Sequence, residues 1–276
     1  MSVGVEDILP AVKSTGETSV KKPSPVAFLK HAKRFALVAF LFAAWEIGVR
    51  ADVIDKNLFP APSAVGTAIV QLAQLGLLLK DVTASVIRVT IGFLIASGIG
   101  IVVAVILARW EIVSYYVSPI IELIRPISVI AWIPVAILWF GLGDKPAWFI
   151  IFLGSFFPIF TNTYVGIRSI AHIHVQAAEC LGASKWLFIT RILFPSALPY
   201  ILTGMRIGLG VGWMCVIAAE MIAATSGLGY MIQLARVLIE TEKVIGGMIV
   251  IGCVGFAMNH FMLYLERKVT PWSDHN

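Results

Sequence analysis

Charged residues are scarce in this sequence of 276 residues: 13% are Asp, Glu, Lys or Arg, whereas 59% are hydrophobic. A soluble domain has about a quarter of its residues charged, so this chain lacks the side chains needed to cover a water-facing surface. A lipid bilayer is therefore its expected solvent. The formal net charge of +5 does not indicate a nucleic-acid partner, because the basic residues are not gathered into one patch with interleaved aromatic residues.

Several sequence patterns of catalytic and metal sites are also absent. The three cysteines, Cys180, Cys215 and Cys253, form no CxxC pair, so we expect no metal site. Neither HExxH nor GxSxG occurs, and the dipeptide Gly-Lys, which a phosphate-binding ATPase loop requires, does not occur either. The chain is therefore not expected to be an enzyme, to hydrolyse ATP or to hold a cofactor of its own.

Long hydrophobic runs dominate what is present. A helix that crosses about 30 Å of hydrocarbon needs roughly 20 apolar residues. Three segments meet this requirement without a formal charge, and three more contain one or two charged residues. In chain order the six are 35–49, 89–108, 116–142, 147–167, 199–224 and 244–265. The sequence therefore predicts an all-α integral membrane protein with about six transmembrane helices.

The distribution of basic residues predicts the orientation of these helices. With the N-terminus inside, the inner segments hold twelve Lys and Arg residues and the outer segments six, which favours N-in, C-in. Residues 1–34 are polar and precede any apolar run, so we interpret them as a cytoplasmic tail rather than a cleavable signal peptide. The membrane domain is assigned to 35–272, and 273–276 form a short tail.

Segment 58–80 has the pattern of a short helix outside the predicted spans. Ser63 is placed to cap a helix that starts near Ala64. Apolar residues then recur at helical spacing: Val65, Ala68, Ile69, Leu72 and Leu75. One interpretation is an amphipathic helix lying on the outer membrane surface. Packing of this helix against the spans is an equally open alternative.

Small residues at four-residue spacing mark two faces for helix packing. Such residues let helix backbones approach closely in lipid. The second predicted span carries Gly92, Ala96, Gly100 and Ala104, and the fifth carries Gly204, Gly208 and Gly212. Pro134 and Pro158 fall inside predicted spans, where each removes a backbone donor and should kink the helix.

Ionisable residues within the predicted spans are candidates for the solute path. A charge at bilayer depth should face a cavity, a partner or the interface. Glu122 and Arg125 are three apart on one helix face and can neutralise each other, whereas Arg206 and Glu220 are too far apart to pair within one helix. Arg125 or Arg206 beside a path would attract an anion, and ion pairing is the alternative. The path candidates are Arg125, Arg206, Trp213, Glu220 and Asn162.

A polar segment, 168–196, separates the fourth and fifth predicted spans and lies on the cytoplasmic side in the predicted orientation. It contains Gln176-Ala177-Ala178, Gly182 and Ile192-Leu193-Phe194-Pro195. We predict a helix over 172–184 whose small residues allow close contact with another protein. Gly182 then permits a turn before a second short helix, and Pro195 starts the next span.

This spacing resembles the cytoplasmic coupling motif of bacterial ABC importer permeases, with Gln176 in place of Glu and Phe194 in place of Leu. Further stretches resemble the nitrate/sulfonate/taurine branch of that family, and taurine permeases most of all: Arg125-Pro126, Ala131-Trp132-Ile133-Pro134, Trp139-Phe140-Gly141-Leu142-Gly143, residues 201–229 and Thr270-Pro271-Trp272. The resemblance covers most of residues 58–272.

The resemblance implies the fold of a type I ABC importer permease in a bacterial inner membrane. It also implies a second permease copy, two ATP-binding subunits that hold ATP and Mg²⁺, and an extracytoplasmic solute-binding protein. The implied coupling residues are Gln176, Ala177, Ala178, Gly182, Ile192 and Pro195. The expected solute is a small anion or zwitterion, with taurine or an alkanesulfonate first and nitrate or bicarbonate second.

Two other functions are weighed against this one. A secondary transporter driven by an ion gradient should show inverted repeats or broken helices around an ion site, and no repeat is visible in the sequence. A membrane redox enzyme with haem should carry histidines within its spans, and only His260 meets that condition.

Overall fold

The computed structural model describes residues 40–53, 55–169 and 193–272, together with residues 182, 184, 187 and 191. Every regular element in this part of the chain is helical. Residues 40–50 are helical, and the later helices are α1 (Pro62–Gln74), α2 (Leu77–Arg109), α3 (Glu111–Ile124), a 3₁₀ turn (Val129–Trp132), α4 (Ile133–Phe140), α5 (Asp144–Arg168), α6 (Phe194–Ala223), α7 (Leu228–Val237) and α8 (Thr241–Val269).

Four helices are long and apolar enough to cross a membrane: α2, α5, α6 and α8. They confirm the predicted spans 89–108, 147–167, 199–224 and 244–265, although α2 begins twelve residues earlier than predicted. The predicted span 35–49 is described only from residue 40, where it is helical. The total of six spans and the N-in, C-in orientation therefore stay predictions.

The predicted span 116–142 is wrong as one continuous helix. α3 and the segment 129–140 meet at an angle of 89°. The break follows from Pro126, which has no N–H to continue the helix and whose ring would clash with the carbonyl oxygen four residues earlier. Pro134, where a kink was expected, instead lies in the first turn of α4, where a missing N–H breaks no hydrogen bond.

Helix α5 lies between α2 and α6, and the two predicted small-residue faces make these contacts. On one side, a Cβ at Gly92 would lie 2.7 Å from the Cβ of Ile151. On the other side, a Cβ at Gly208 would lie 2.8 Å from Cγ1 of Ile159, and Ser155 Oγ donates to the Gly208 carbonyl at 2.9 Å. Both faces are therefore confirmed as packing surfaces.

Helix α1 packs against the spans, which decides between the two alternatives for segment 58–80. Its residues Val65, Ala68 and Leu72 are buried, and Ile69 lies against Gly246 of α8. Leu75, predicted on the same face, is exposed and follows the end of the helix.

The predicted Ser63 cap is also wrong, because α1 starts at Pro62, two residues before the predicted start at Ala64, and Ala61 is its N-cap. Instead, Ser63 donates both its N–H and its hydroxyl to the Glu46 carboxylate, at 3.1 and 2.8 Å. A carboxylate near the first turn of a helix is stabilised by the unpaired N–H groups there.

The ends of the spanning helices define two ends of the molecule. Gly143 N–H donates to the Ala223 carbonyl at 3.1 Å, so the start of α5 and the end of α6 lie together; we call this the Asp144 end. The opposite end, where α5 finishes and α6 begins, is the Arg168 end. Helix α4 packs near the Asp144 end, with Ile133 and Ala136 in one buried cluster with Ala147 and Cys215.

Candidate functional site

The predicted coupling segment joins α5 to α6 at the Arg168 end. α5 ends at Arg168 and α6 begins at Phe194, so the boundaries of this polar segment agree with the predicted 168–196. Gln176, Ala177, Ala178 and Ile192 lie outside the described residues. The roles of all six coupling residues stay predictions.

Two coupling residues are described, and both have the predicted backbone geometry. Gly182 lies in a turn with φ +68 and is exposed. This left-handed conformation is one that glycine adopts without steric cost. Pro195 lies in the first turn of α6, where its fixed φ suits a helix start. The chain can therefore turn at Gly182 and begin the next span at Phe194 as predicted.

At the Asp144 end, Glu220 of α6 is fully buried and accepts hydrogen bonds from three other groups. Ser85 Oγ lies 2.8 Å from its carboxylate, Arg88 Nη1 2.7 Å and Gly229 N 2.9 Å. Gly229 belongs to the first turn of α7, whose unpaired N–H groups favour a negative charge. The burial of this carboxylate is thus compensated by one cation and by directed donors.

Arg88 of α2 connects Glu220 to two further elements. Its Nε donates to Asp144 Oδ1 at 2.7 Å. Its Nη1 and Nη2 donate to the carbonyl and the hydroxyl of Ser226, at 2.6 and 2.7 Å. One guanidinium thus joins α2, the start of α5, the end of α6 and the loop before α7. Its planar set of donors suits such multiple contacts.

The loop that enters α7 is held by side chains of α2. Asp81 accepts from Gly227 N–H, and Ser85 Oγ accepts from Leu228 N–H, both at 2.9 Å. Gly227 has φ +109 and lies against the Glu220 carboxylate, so a side chain there would be both strained and obstructed. The sequence reasoning missed Arg88, Asp144 and Ser85. The available signal was a pair of opposite charges, with Glu220 inside one predicted span and Arg88 one residue before another.

At the Arg168 end, Arg206 forms an ion pair whose partner, Glu266, was not predicted from the sequence. Its Nε lies 3.5 Å from Oε2 of Glu266 in α8, and Thr203 Oγ1 donates to Oε1 of the same carboxylate at 3.0 Å. The Arg206 side chain keeps one-third of its surface exposed. The structure thus places Arg206 in the salt bridge that was the alternative to a place beside a path.

Trp213 and Asn162 lie in helix–helix contacts within the chain. Trp213 is buried, and its Nε1–H donates to the Ile251 carbonyl of α8 at 3.2 Å. Asn162 Nδ2 donates to the Pro158 carbonyl at 2.8 Å, and its Cβ faces Gly204 of α6. Both residues therefore contribute to packing, and their role in a path stays a prediction.

The predicted ion pair between Glu122 and Arg125 is not formed. Both residues are described and exposed, and no N–O distance within 4.0 Å joins them. Arg125 is the last residue before Pro126, at the break between α3 and the 3₁₀ turn. The backbone of Arg125 is still helical and its N–H donates to the Ile121 carbonyl, so the two residues share a helix face without forming the pair.

Metal-binding side chains do not cluster in the described part of the chain, where no three His, Cys, Asp or Glu residues could share an ion. Of the cysteines described, Cys215 is buried and Cys253 is exposed, and both are free thiols.

Sequence comparisons relate most of the chain to known membrane transport proteins. The model of the family described as "Binding-protein-dependent transport system inner membrane component" matches residues 96–271. The taurine transport system permease protein TauC of Escherichia coli is 34% identical, over 85% of this chain and 87% of its own length. The putative aliphatic sulfonates transport permease protein SsuC of Bacillus subtilis is 31% identical, over 94% of both chains. The nitrate import permease protein NrtB of Synechocystis is 30% identical, over 95% of this chain and 98% of its own.

The fold has a counterpart among solved structures. A chain of the MetNI methionine ABC transporter in an inward-facing conformation superposes with a TM-score of 0.63 at 18% sequence identity. The match covers 72% of this chain and 98% of the other. At this identity the similarity concerns the fold alone.

Proposed function

Because this chain belongs to the family of binding-protein-dependent transport system inner membrane components, we propose that it forms the membrane path for import of a small anionic or zwitterionic solute. It is a permease subunit of an ABC importer and lies in the inner membrane. The observation that carries the proposal is the family match over residues 96–271, which contain α5, α6, α8 and the polar segment between α5 and α6.

Taurine or an alkanesulfonate is the first candidate solute, and nitrate or bicarbonate is the second. The names of three relatives refer to taurine, aliphatic sulfonates and nitrate, and each of these molecules carries a negatively charged oxygen group. The shared chemistry supports an anionic group in the solute of this chain. The order of the candidates follows the stronger resemblance of residues 201–229 to taurine permeases.

The coupling segment is the proposed contact with a separate ATPase. The family implies ATPase and solute-binding partners, and we propose two ATP-binding subunits, which hold ATP and Mg²⁺, and two copies of this chain. Gln176, Ala177, Ala178 and Gly182 enter a cleft of the ATPase, while Ile192 and Pro195 connect the segment to α6. When the ATPases close, the segment moves with them and α6 transmits the movement to the path.

Reconstitution tests the proposed function. The permease is purified with its ATPase, placed in nanodiscs, and assayed for ATP hydrolysis with candidate solute-binding proteins, loaded or empty. We expect hydrolysis to rise several-fold with one loaded binding protein, and the same protein to support solute uptake in proteoliposomes. A loaded protein that carries taurine or an alkanesulfonate supports the first candidate, and one that carries nitrate or bicarbonate supports the second.

The gradient-driven alternative gives a different result in the same assay. Uptake that follows an imposed ion gradient and needs neither ATP nor a binding protein would contradict the proposal. A purified chain that associates with itself but with no ATPase would contradict it as well.

A further inference from the structure

We propose that the break in the third span lines the solute path against the second permease copy, where Arg125 and Glu122 together bind a zwitterionic solute. The Arg125 guanidinium takes the anionic group, and the Glu122 carboxylate takes the ammonium group. This inference rests on the proposed function, because a path between two copies exists only in such an importer.

The first step is the depth of the break in the membrane. α2 ends at Arg109 and α3 begins at Glu111, and Trp110 between them is 57% exposed. Charged residues and tryptophan are typical of a membrane boundary. From there, the 14 residues of α3 rise about 21 Å at about 1.5 Å each. With α3 parallel to the membrane normal, this rise places Arg125 inside a hydrocarbon layer of about 30 Å.

The second step is the backbone at this depth. Residues 125–128 lie between α3 and the 3₁₀ turn, and all four are exposed. Irregular backbone does not face lipid, because its N–H and C=O groups find no hydrogen-bond partner there. It occurs at this depth only when it is buried in protein or lines a water-filled cavity.

The third step is the charge of Arg125. Two other arginines in or beside the predicted spans are neutralised: Arg88 pairs with Glu220 and Asp144, and Arg206 pairs with Glu266. In the described part of the chain, no carboxylate oxygen lies within 4.0 Å of Arg125. An unpaired charge at this depth must face a cavity or a partner. The guanidinium donates several parallel N–H groups, which fit sulfonate and carboxylate oxygens.

The fourth step is the position of Glu122. It precedes Arg125 by three residues, so the two side chains start about 5–6 Å apart on one helix face. Both are exposed, and they do not pair with each other. The two opposite charges are therefore open to a ligand that carries both signs. In taurine, two carbon atoms separate the sulfonate from the ammonium group, a separation suited to two such neighbouring side chains.

The test compares taurine with ethanesulfonate, which has the same anionic group and no ammonium group. Binding of each radiolabelled solute to the ATPase–permease complex in nanodiscs is measured by equilibrium dialysis. The solute-binding protein is left out, because its own selectivity would mask that of the permease. We expect Arg125→Gln to weaken binding of both solutes by tenfold or more. We expect Glu122→Gln to weaken taurine binding by a similar factor. Its dissociation constant for ethanesulfonate should be no more than twofold higher than that of the wild type, or lower.

Each other outcome overturns the proposal. If both variants weaken both solutes equally, or if both reduce the yield of folded complex, the two residues act as a structural ion pair. If neither variant changes binding, or if the wild-type complex transports taurine and binds neither solute, the site lies elsewhere. If the wild-type complex shows no ATP-dependent uptake of any candidate solute, the proposed function itself is wrong. Failure of the binding site and failure of the proposed function are thus distinguishable.

A second measurement tests whether the break faces water. In a background whose three cysteines are replaced by serine, Ser128→Cys should react with a membrane-impermeant maleimide in the reconstituted complex. Leu94→Cys is the control, since Leu94 is 59% exposed on an apolar face of α2 and should remain unlabelled in lipid. Equal labelling of the two positions, or none at Ser128→Cys, contradicts a water-lined break.

Discussion

Among single residues, Glu220 has the most demanding surroundings. Its carboxylate is fully buried, and its one cationic partner is Arg88, 132 residues earlier in the chain. A buried ion pair is a weak source of stability by itself, because removing two charges from water opposes their attraction. Loss of one partner is a larger effect, since the other charge is left buried without compensation. The network therefore holds three helices and one loop in a single arrangement.

Replacement of Glu220 by Gln tests this account of the Asp144 end. The change removes the negative charge and keeps the size of the side chain. Asp144, which is half exposed, is then the carboxylate that still neutralises Arg88. We expect a loss of about 3 kcal/mol, the lower end for a broken buried pair, and a fall in melting temperature of about 6–12 °C. Thermal unfolding of the detergent-solubilised protein, followed by tryptophan fluorescence, measures it.

Glu46→Gln is the matched control for that change. Glu46 also accepts hydrogen bonds near the first turn of a helix, from Ser63, but it is accessible to water. We expect a clearly smaller fall in melting temperature than for Glu220→Gln. Equal falls for the two variants would mean that burial of the Glu220 network contributes little.

At the scale of helices, the central feature is the close approach of α2 and α6 to α5. Lipid chains are as apolar as leucine, so helices in a bilayer associate through packing rather than through the hydrophobic effect. Gly92, Gly208 and Gly212 remove the side chains that would hold the backbones apart. α5 is consequently enclosed between α2 and α6, and its residues Ile150, Ile151 and Ile159 are fully buried.

Gly92→Ala tests the α2–α5 contact. The added Cβ would lie 2.7 Å from Cβ and Cγ2 of Ile151 and 3.1 Å from the Trp148 carbonyl oxygen, so the helices must separate. Overpacking of this kind costs about 1–3 kcal/mol. We expect a lower melting temperature and a lower yield of solubilised protein, and size-exclusion chromatography after mild heating measures both.

Gly98→Ala in the same helix is the control, because a Cβ there meets nothing within 4 Å. Alanine is favoured over glycine in a helix interior by roughly 0.5–1 kcal/mol, so this variant should be neutral or slightly more stable. A Gly98→Ala variant as unstable as Gly92→Ala would contradict the contact with α5 as the cause of the effect.

At the scale of the whole molecule, the polar segment at the Arg168 end must transmit movement from another protein to the spans. Gly182 is exposed and has a left-handed backbone, and we predict that it lies against the partner ATPase. Gly182→Arg should leave membrane insertion intact and abolish the stimulation of ATP hydrolysis by a loaded binding protein, because a long charged side chain does not fit a close backbone contact. Expression level and stimulated hydrolysis are measured together.

Gly182→Ala separates backbone strain from side-chain size at this position. Alanine has the same unfavourable left-handed conformation as arginine, at a cost of about 1–2 kcal/mol, but it adds only one methyl group. We expect it to retain most of the coupling. Loss of stimulation in the alanine variant would assign the effect to strain in the turn, and normal stimulation in the arginine variant would count against the coupling role.

The orientation of the molecule is a further prediction at this scale. In a cysteine-free background, Ser184→Cys should be labelled only from the cytoplasmic side and Asn57→Cys only from the outside, and both positions are exposed. Labelling with an impermeant maleimide in intact cells and in inverted vesicles measures each. The reverse pattern would contradict N-in, C-in.

The spans and the small-residue faces were predictable because both depend on local sequence. A span needs only a run of apolar residues of sufficient length, and Gly92 or Gly208 belongs to a face because four residues complete about one helical turn. The coupling residues were likewise proposed from their spacing alone, and their roles stay predictions, with Gln176, Ala177, Ala178 and Ile192 outside the described structure. For these features, no knowledge of the neighbouring helices was required.

The partners of the polar residues were decided by the tertiary structure. Arg88 meets Glu220, Arg206 meets Glu266 and Ser63 meets Glu46 only because particular helices are adjacent and in a particular register. The hydropathy of a span shows that a buried charge is costly. The position of the counter-charge depends on how the helices pack, so only the tertiary structure determines it.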